Sequence, residues 1–518
     1  MFFKSVKSLG TIIDIMKNKT WKKDASSLVD AFRKKEISPY EEMQNTIEAI
    51  ENSKINSVCF TDFERALKES KDADVTKPFG GVPALIKELE PVKGWPYREG
   101  SLLFKDRIAD HTMHAVDRLL TKGGAVPVGL TTSSEFGGLN VSITKLNGIT
   151  QNPWKTGRTV GGSSGGAAAS VAGGLASLAT GSDGGGSIRI PAGYCGLLGM
   201  KGTFGRVTRA PHAYMRPNTV VGGILARSVR DVARYYDVVS GVDPFDPSTL
   251  VNDGKWEQNL GKSSLKGKKV AVIPSLCDVT LEDGVEALIN KQADLLIKDL
   301  GLVKVDIEVK PPILAAYWMM ENLVTLIGEL GNGWPKKAGE LTDEVAMGIM
   351  LSEAFYNFKT ASITELRRIE ANEEMARAFE QVDYIIAATN PGPAFPAEAT
   401  KSNQQKDLLD FLKENSLIKT GSKAALYGAR VLSSLNQKIP IYILDEAAKR
   451  FPEMMAMGAL TMISNVYGNP AVSIPAGFID ALPVGLQVLA PHHRDGELLD
   501  IALVVEKERP WPLHAPLD

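Results

Sequence analysis

Two glycine-serine loops decide how this chain is read. The first is Gly161-Gly162-Ser163-Ser164-Gly165-Gly166, and the second is Asp183-Gly184-Gly185-Gly186-Ser187-Ile188-Arg189-Ile190-Pro191-Ala192, joined through the small-residue stretch 167–179. Glycine costs conformational entropy, so this density marks backbone that turns tightly or approaches something closely. An isolated glycine pair would be an ordinary tight turn around a packed helix. Two glycine-serine loops on one small-residue helix offer more. Successive N–H groups ahead of a serine can converge on a developing oxyanion while the hydroxyl supplies a nucleophile. A phosphate cradle would need a lysine after its glycines, and a dinucleotide site a GxGxxG after a strand; both are missing.

Both 161–165 and 162–166 satisfy GxSxG, the elbow of an α/β-hydrolase-type esterase. That elbow requires a strand immediately before it. Residues Asn152-Pro153-Trp154-Lys155-Thr156-Gly157-Arg158-Thr159 form a polar, proline-bearing loop instead.

Outward from the loops, short β-rich runs at 125–130, 269–273, 303–309 and 384–388 alternate with helical patterns, which predicts an α/β architecture with a mixed or parallel sheet under helices. The amino-terminal eighty residues read as helical. Ser38-Pro39-Tyr40-Glu41 is a capping box with proline at the first helical position, opening a helix to about Asn52. An amphipathic stretch at 112–122 ends at Gly123-Gly124. A peripheral helix pair is expected over 340–380, and surface connections at 252–268 and 397–423.

The composition fits a globular chain: 518 residues, 44% apolar and 23% charged. With 59 basic against 61 acidic residues, the net charge of −2 leaves no electrostatic footprint for nucleic acid or an anionic membrane. Cys59, Cys195 and Cys277 are odd in number, far apart and without zinc-ligand spacing, which suits a reducing compartment. Cys195, in an apolar run, is expected buried and inert. Lys4 and Lys7 could open a signal peptide, but Gly10, Thr11 and Asp14 interrupt the apolar stretch. With no run of eighteen apolar residues, a cytoplasmic protein off the membrane is expected. None of the six histidines lies near either loop, and His492-His493 lacks helical metal-ligand spacing.

Asn152-Pro153-Trp154 leading into Gly161–Gly166, then Asp183-x-Gly185-Gly186-Ser187-Ile188-Arg189-x-Pro191-Ala192, closely resembles the amidase signature family. Phe79-Gly80-Gly81-Val82-Pro83 with Ile86-Lys87-Glu88 is similar to that family's lysine segment, and Ala125-Val126-Pro127-Val128-Gly129 with Glu135-Phe136 to the segment between. Gly199-Met200-Lys201-Gly202-Thr203-Phe204-Gly205 continues the likeness, and Gly468-Asn469-Pro470 and Leu482-Pro483-Val484-Gly485 resemble its closing strands.

The resemblance implies an α/β amidase signature fold, a large mixed β-sheet core covered on both sides by helices. Residues 1–74 would be a helical segment packed on the core and 75–518 one catalytic domain. It implies hydrolysis of an amide C–N bond to a carboxylate and an amine or ammonia, without cofactor or metal. Linear aryl or alkyl amides, oligomeric amides, carbamates and esters are all candidate small-molecule substrates, and a homodimer is left open. By the same resemblance Ser187 is the nucleophile, Ser163 a bridging serine on a cis peptide bond and Lys87 the base. Gly184, Gly185, Gly186 and Ser187 would supply oxyanion N–H groups, and Ser164, Asp183 and Arg189 would support the loops. A lysine acts as a base only when neutral, against an ordinary pKa of about 10.4. Burial behind the apolar run Val82-Pro83-Ala84-Leu85-Ile86 would lower it.

Three departures stand out: Glu88 where the family usually has aspartate, Thr131-Thr132-Ser133-Ser134-Glu135 where lysine-threonine-asparagine is typical, and a third glycine at Gly184. Substrate pockets are expected from 210–222, 311–335 and 420–460, whose Trp318, Trp334 and Tyr427 suit either an apolar cavity or core packing. Two other readings stay open: a glutaminase subunit of a tRNA-dependent amidotransferase, working with partner subunits, and a catalytically dead scaffold.

Overall fold

Local chemistry starts the helices where the residue types say it should. The Ser38 hydroxyl accepts the Glu41 N–H at 3.2 Å while the Glu41 carboxylate accepts the Ser38 N–H at 2.8 Å, so both halves of the capping box open Pro39–Asn52. The chain is seen in a computed structural model that describes residues 20–212, 218–252, 254–398 and 452–516. Residues 1–19, Tyr427 and most of the 397–423 and 420–460 segments therefore lie outside the described residues.

Thirteen strands are described: β1 Val58–Thr61, β2 Pro83–Lys87, β3 Val126–Thr131, β4 Ile143–Thr144, β5 Gly148–Ile149, β6 Leu178–Asp183, β7 Leu198–Lys201, β8 Val221–Ala226, β9 Lys269–Val272, β10 Val303–Lys304, β11 Tyr384–Ala388, β12 Ala471–Ile479 and β13 Leu482–Leu489. Eleven form one sheet in the order β1-β3-β2-β6-β8-β7-β12-β13-β11-β9-β10, and β4 pairs with β5. The sheet is mixed. β3, β2 and β6 run parallel, as do β11, β9 and β10, while the pairs between β6 and β11 are antiparallel.

The expected runs at 125–130, 269–273 and 384–388 are β3, β9 and β11. The run at 303–309 pairs over only two residues, because β10 is the sheet edge and both residues are exposed to water. The helical reading of the first eighty residues omits β1, which pairs antiparallel with β3. Its four residues are all half-buried, so no alternation betrays a strand. The 340–380 region is the helix pair Asp343–Phe355 and Phe358–Gln381. No helix among the described residues is long and apolar enough to cross a membrane.

The helix Gly165–Ala172 is buried along its whole length. Ala167, Ala168 and Val171 pack with Leu85 of β2, Val128 of β3 and Ala179 of β6, in a cluster that includes the buried Cys195. Only small residues let a helix approach strands this closely. A Cβ on Gly166 would stand 2.3 Å from Thr132 Oγ1, and one on Gly165 would stand 2.2 Å from Ser142 Oγ. That packing fixes the first glycine-serine loop against the sheet.

Candidate active site

β2 and β6 are parallel neighbours, paired Ala84 with Leu178 and Leu85 with Ala179, so their carboxyl ends emerge side by side. β2 ends on Lys87 and β6 on Asp183, and the second loop begins there. Ligand sites of open α/β sheets gather outside such carboxyl ends. Lys87 is fully buried, and its Nζ lies 2.8 Å from Ser163 Oγ, 2.8 Å from Ser164 Oγ and 3.1 Å from Ser182 Oγ. The Gly162–Ser163 peptide is cis. A Cβ on Gly162 would come within 2.6 Å of the Val141 backbone, so only glycine fits there.

The two loops meet through backbone, the Ser164 N–H donating to the Ser187 carbonyl at 3.2 Å. Ser187 is only 5% exposed. Among the described residues, no hydrogen bond joins the Ser163 and Ser187 hydroxyls.

Asp183 organises the second loop. Its carboxylate accepts the N–H groups of Gly186 at 2.7 Å, Ile188 at 3.3 Å and Arg189 at 3.3 Å. The Arg189 guanidinium grips it through Nε at 3.0 Å and Nη2 at 3.1 Å, both residues being fully buried. Burial alone would raise the Asp183 carboxyl, but the Arg189 charge and hydrogen bonds and the Asn465 amide outweigh it and hold the carboxyl well below the usual range. Arg189 reaches on to Gln487, Asn465 and the Thr461 carbonyl, tying the loop to β13 and to the helix Pro452–Tyr467.

The glycine turn is held by its carbonyls. Trp318 Nε1 donates to the Gly184 carbonyl at 2.9 Å, Thr461 Oγ1 to that of Gly185 at 2.7 Å, and the Ile190 N–H to that of Gly186 at 2.7 Å. Across a planar trans peptide the next N–H points the opposite way. The Gly186 N–H is thereby committed to Asp183. Gly184, Gly185 and Ser187 are left with N–H groups that donate to no described residue. Gly186 sits at φ +123°, and a Cβ there would strike Thr461 Oγ1 at 2.2 Å, so both backbone and space demand glycine.

Burial pushes the Lys87 amine below the ordinary lysine value, opposed by the negative charges of Glu90, Asp183 and Glu88. The longer carboxylate at Glu88 reaches the departed segment, accepting from Ser133 N at 2.7 Å, Ser133 Oγ at 3.0 Å and Asn147 Nδ2 at 2.9 Å. Glu135 of the same segment accepts from Thr342 N and Oγ1 at 2.7 Å each, linking it to the helix pair.

The structure thus brings Lys87, Ser163 and Ser164 into contact, joins Asp183 to Arg189, and sets Ser187 on the same turn as Gly184, Gly185 and Gly186. Thr461 and Asn465 are additions that no sequence pattern marks: they are ordinary polar residues on a helix, and their loop contacts span more than 270 positions. Gly137 is another, at φ +71°, where a Cβ would lie 3.5 Å from Ser163 Oγ and 3.2 Å from Leu89. The glycine pair Gly137-Gly138 is the signal that could have found it. Among the described residues no group of three histidine, cysteine or acidic side chains is placed to hold a metal. The chain immediately ahead of Ser163 carries no strand, so the esterase elbow is not formed.

A serine-rich centre over a buried lysine thus lies at the strand ends of a mixed sheet in a protein of the α/β class. Comparison with known proteins narrows the class to a family. The family model described as Amidase matches residues 41–419, and the chain belongs to the amidase signature family of hydrolases. A glutamyl-tRNA(Gln) amidotransferase subunit from Akkermansia muciniphila is 30% identical over 92% of this chain and 97% of its own. An acylamidase of Rhodococcus erythropolis is 29% identical over 95% of this chain and 97% of its own. The solved structure of 6-aminohexanoate cyclic dimer hydrolase superposes with a TM-score of 0.81 at 26% identity, covering 96% of this chain and 99% of that one.

Proposed function

We propose that this protein is a stand-alone hydrolase of small amides bearing an apolar acyl or amine group, working through a Ser187 acyl-enzyme. The observation that carries the reading is the 2.8 Å contact between the buried Lys87 amine and Ser163 Oγ. A lysine so desolvated can be neutral near physiological pH and act as a base.

In this reading Lys87 takes the Ser163 proton as Ser163 takes that of Ser187, and Ser187 Oγ attacks the amide carbon. The hydroxyl contact between the serines tightens when substrate binds, as catalytic hydrogen bonds often do. The carbonyl oxygen becomes an oxyanion that the uncommitted N–H groups of Gly185 and Ser187 can receive, with Gly184 and Gly186 shaping the turn. The relay reverses to protonate the departing amine. Water then repeats the sequence on the acyl-enzyme and releases the carboxylate.

Apolar side chains border the centre. Leu89 lies across Gly137 from Ser163, Val345 flanks Gly138, Val220 flanks Gly184 and the Trp318 ring covers Gly185. Such walls favour an aryl, alkyl or oligomeric amide over free glutamine, whose charged α-groups would need polar partners. The amidotransferase subunits among the relatives supply the second reading, a glutaminase working in a complex. A screen across anilides, aliphatic amides, dipeptide amides, carbamates and glutamine, reading amine or ammonia release from the isolated chain, separates the two. Turnover of an apolar amide without partners is expected; turnover of glutamine and of none of the apolar amides would overturn the reading. Ser187→Ala and Lys87→Ala should each lower amide turnover by roughly 10⁴–10⁶-fold with the fold intact by circular dichroism.

A further inference from the structure

A buried carboxylate beside the centre faces away from it. Glu135 is 1% exposed, and its Oε2 accepts both the N–H and the hydroxyl of Thr342, at 2.7 Å each. Thr342 is the N-cap of the helix Asp343–Phe355, where a threonine hydroxyl ordinarily accepts an N–H of the first turn. Here that hydroxyl makes no such bond and donates to Glu135 instead. The start of the helix is therefore fastened to the segment that follows β3, rather than capped by itself.

That segment runs directly to Ser163. Phe136 has φ +53°, a conformation that a bulky residue keeps only where its surroundings impose it. Its N–H donates to the Glu99 carbonyl at 2.9 Å, and its ring lies edge-on to Phe104 with centroids 5.6 Å apart. The same ring packs in one cluster with Leu326 and Leu330 of the helix Ala315–Leu330, and with Leu341 and Val345 on either side of Thr342. Gly137 follows and faces Ser163 and Leu89, while Val345 flanks Gly138. The helix Ala315–Leu330 also carries Trp318, whose ring covers Gly185. These two helices thus border the centre at two places, Trp318 at the second loop and Val345 near Ser163, and Glu135 fastens the second of them.

We propose that Glu135 is a positioning residue that seats this helical wall beside Ser163 and so shapes the pocket for the leaving amine, selecting an apolar amine such as an aniline. The proposal rests on the reading of the protein as a hydrolase of apolar amides. Its side follows from the chemistry. In that reading Ser163 returns the proton to the departing nitrogen, so the amine leaves on the Ser163 side, toward Gly137, Leu89 and Val345. Glu135 itself touches no substrate. Its truncation frees the start of the helix, and an aromatic amine then loses apolar contact area with the shifted wall. Such a loss is one of binding, read in KM more than in kcat.

The test is kcat/KM of the full chain for acetamide, acetanilide and butyranilide. The acetanilide-to-acetamide ratio reports the amine side, and the butyranilide-to-acetanilide ratio reports the acyl side. Comparing each ratio between variant and wild type cancels the intrinsic reactivity of the amides. Glu135→Ala should lower the amine-side ratio about tenfold, the scale of a lost apolar contact, mainly by raising KM for acetanilide. Thr342→Val removes the hydroxyl donor and should lower the ratio in the same direction by less. Glu135→Gln keeps an acceptor oxygen and should hold the ratio near wild type, and the acyl-side ratio should move much less in all three. Thr342→Val also decides the matter if Glu135→Ala does not fold. An amine-side ratio unchanged in both Glu135→Ala and Thr342→Val, or a change confined to the acyl side, overturns the proposal whatever happens to Tm. A wild-type chain inert toward all three amides would instead overturn the apolar-amide reading, and the proposal with it.

Discussion

At the residue scale, the second loop depends on which of its N–H groups stay free. Asp183 takes the Gly186 N–H, while Trp318 and Thr461 hold the carbonyls of Gly184 and Gly185. Trp318→Phe keeps an aromatic ring and removes one of these hydrogen bonds. It should lower kcat about 5–10-fold, the equivalent of about 1 kcal/mol, while KM changes little. Steady-state kinetics at saturating substrate check this, and an unchanged kcat would show that the Gly184 carbonyl needs no such anchor. Lys87→Arg keeps the positive charge but cannot deprotonate, so it should be as inactive as Lys87→Ala. Ser187 and the glycines before it are legible in the sequence as a candidate nucleophile with candidate N–H donors, because these residues are neighbours along the chain. Lys87 is not legible by itself, since a lone lysine is usually a solvated one; only its likeness to a family segment points to it. The free N–H groups are hidden for a related reason, because their partners arrive from positions far away in sequence.

At the element scale, the loop between β6 and the helix Arg189–Cys195 is held by a buried ion pair rather than by its own glycines. Asp183→Asn leaves the Arg189 charge uncompensated in a dry interior and should cost about 3–5 kcal/mol in urea unfolding. Asp183→Asn with Arg189→Met should recover a large part of that stability while remaining inactive, because the carboxylate that orients the Gly186 peptide is still missing. A double variant as unstable as the sum of the single changes would contradict the pairing. The sequence pattern exposes β3, β9 and β11 through their β-branched runs. It passes over β6, β7 and β8, where glycines such as Gly181, Gly199, Gly222 and Gly223 dilute the apolar signal in strands almost wholly buried. Those glycines admit close neighbours, as Gly199 against Ala192 shows, so the feature that hides the strands is the one that lets the sheet carry the second loop.

At the scale of the whole molecule, the α/β class and the run of similarity along the chain are visible in the residues alone. The eleven-strand order is not, since β12 and β13 return to the middle of the sheet from nearly 300 residues beyond β6. Closing such a fold buries acids as well as apolar groups. Burial pushes the Glu42, Asp231 and Glu506 carboxyls up to about 7, whereas in the unfolded chain they titrate near 4. Between those values the folded protein holds more protons than the unfolded one, so stability is full below about 4 and is lost as pH rises through about 7. Asp183, held low, acts in the opposite sense only below that window, and Lys201 and Lys87, pushed down by burial to about 7 and about 8, offset part of the loss above it, while Glu90 and Glu99, also raised to about 7, add to it. Thermal melts should therefore give a lower Tm at pH 8 than at pH 6, and Glu506→Gln should flatten the difference; a Tm that rises over that interval would contradict the account. The central claim is that Ser187 is a nucleophile made reactive by Lys87 through Ser163. Fluorophosphonate treatment of the full chain, followed by peptide mass spectrometry, tests it most directly. The expected result is a single adduct on Ser187 that forms in the wild-type protein and is lost in Lys87→Ala and strongly slowed in Ser163→Ala. An adduct on Ser163 or Ser164, or equal labelling of Ser187 without Lys87, would contradict it.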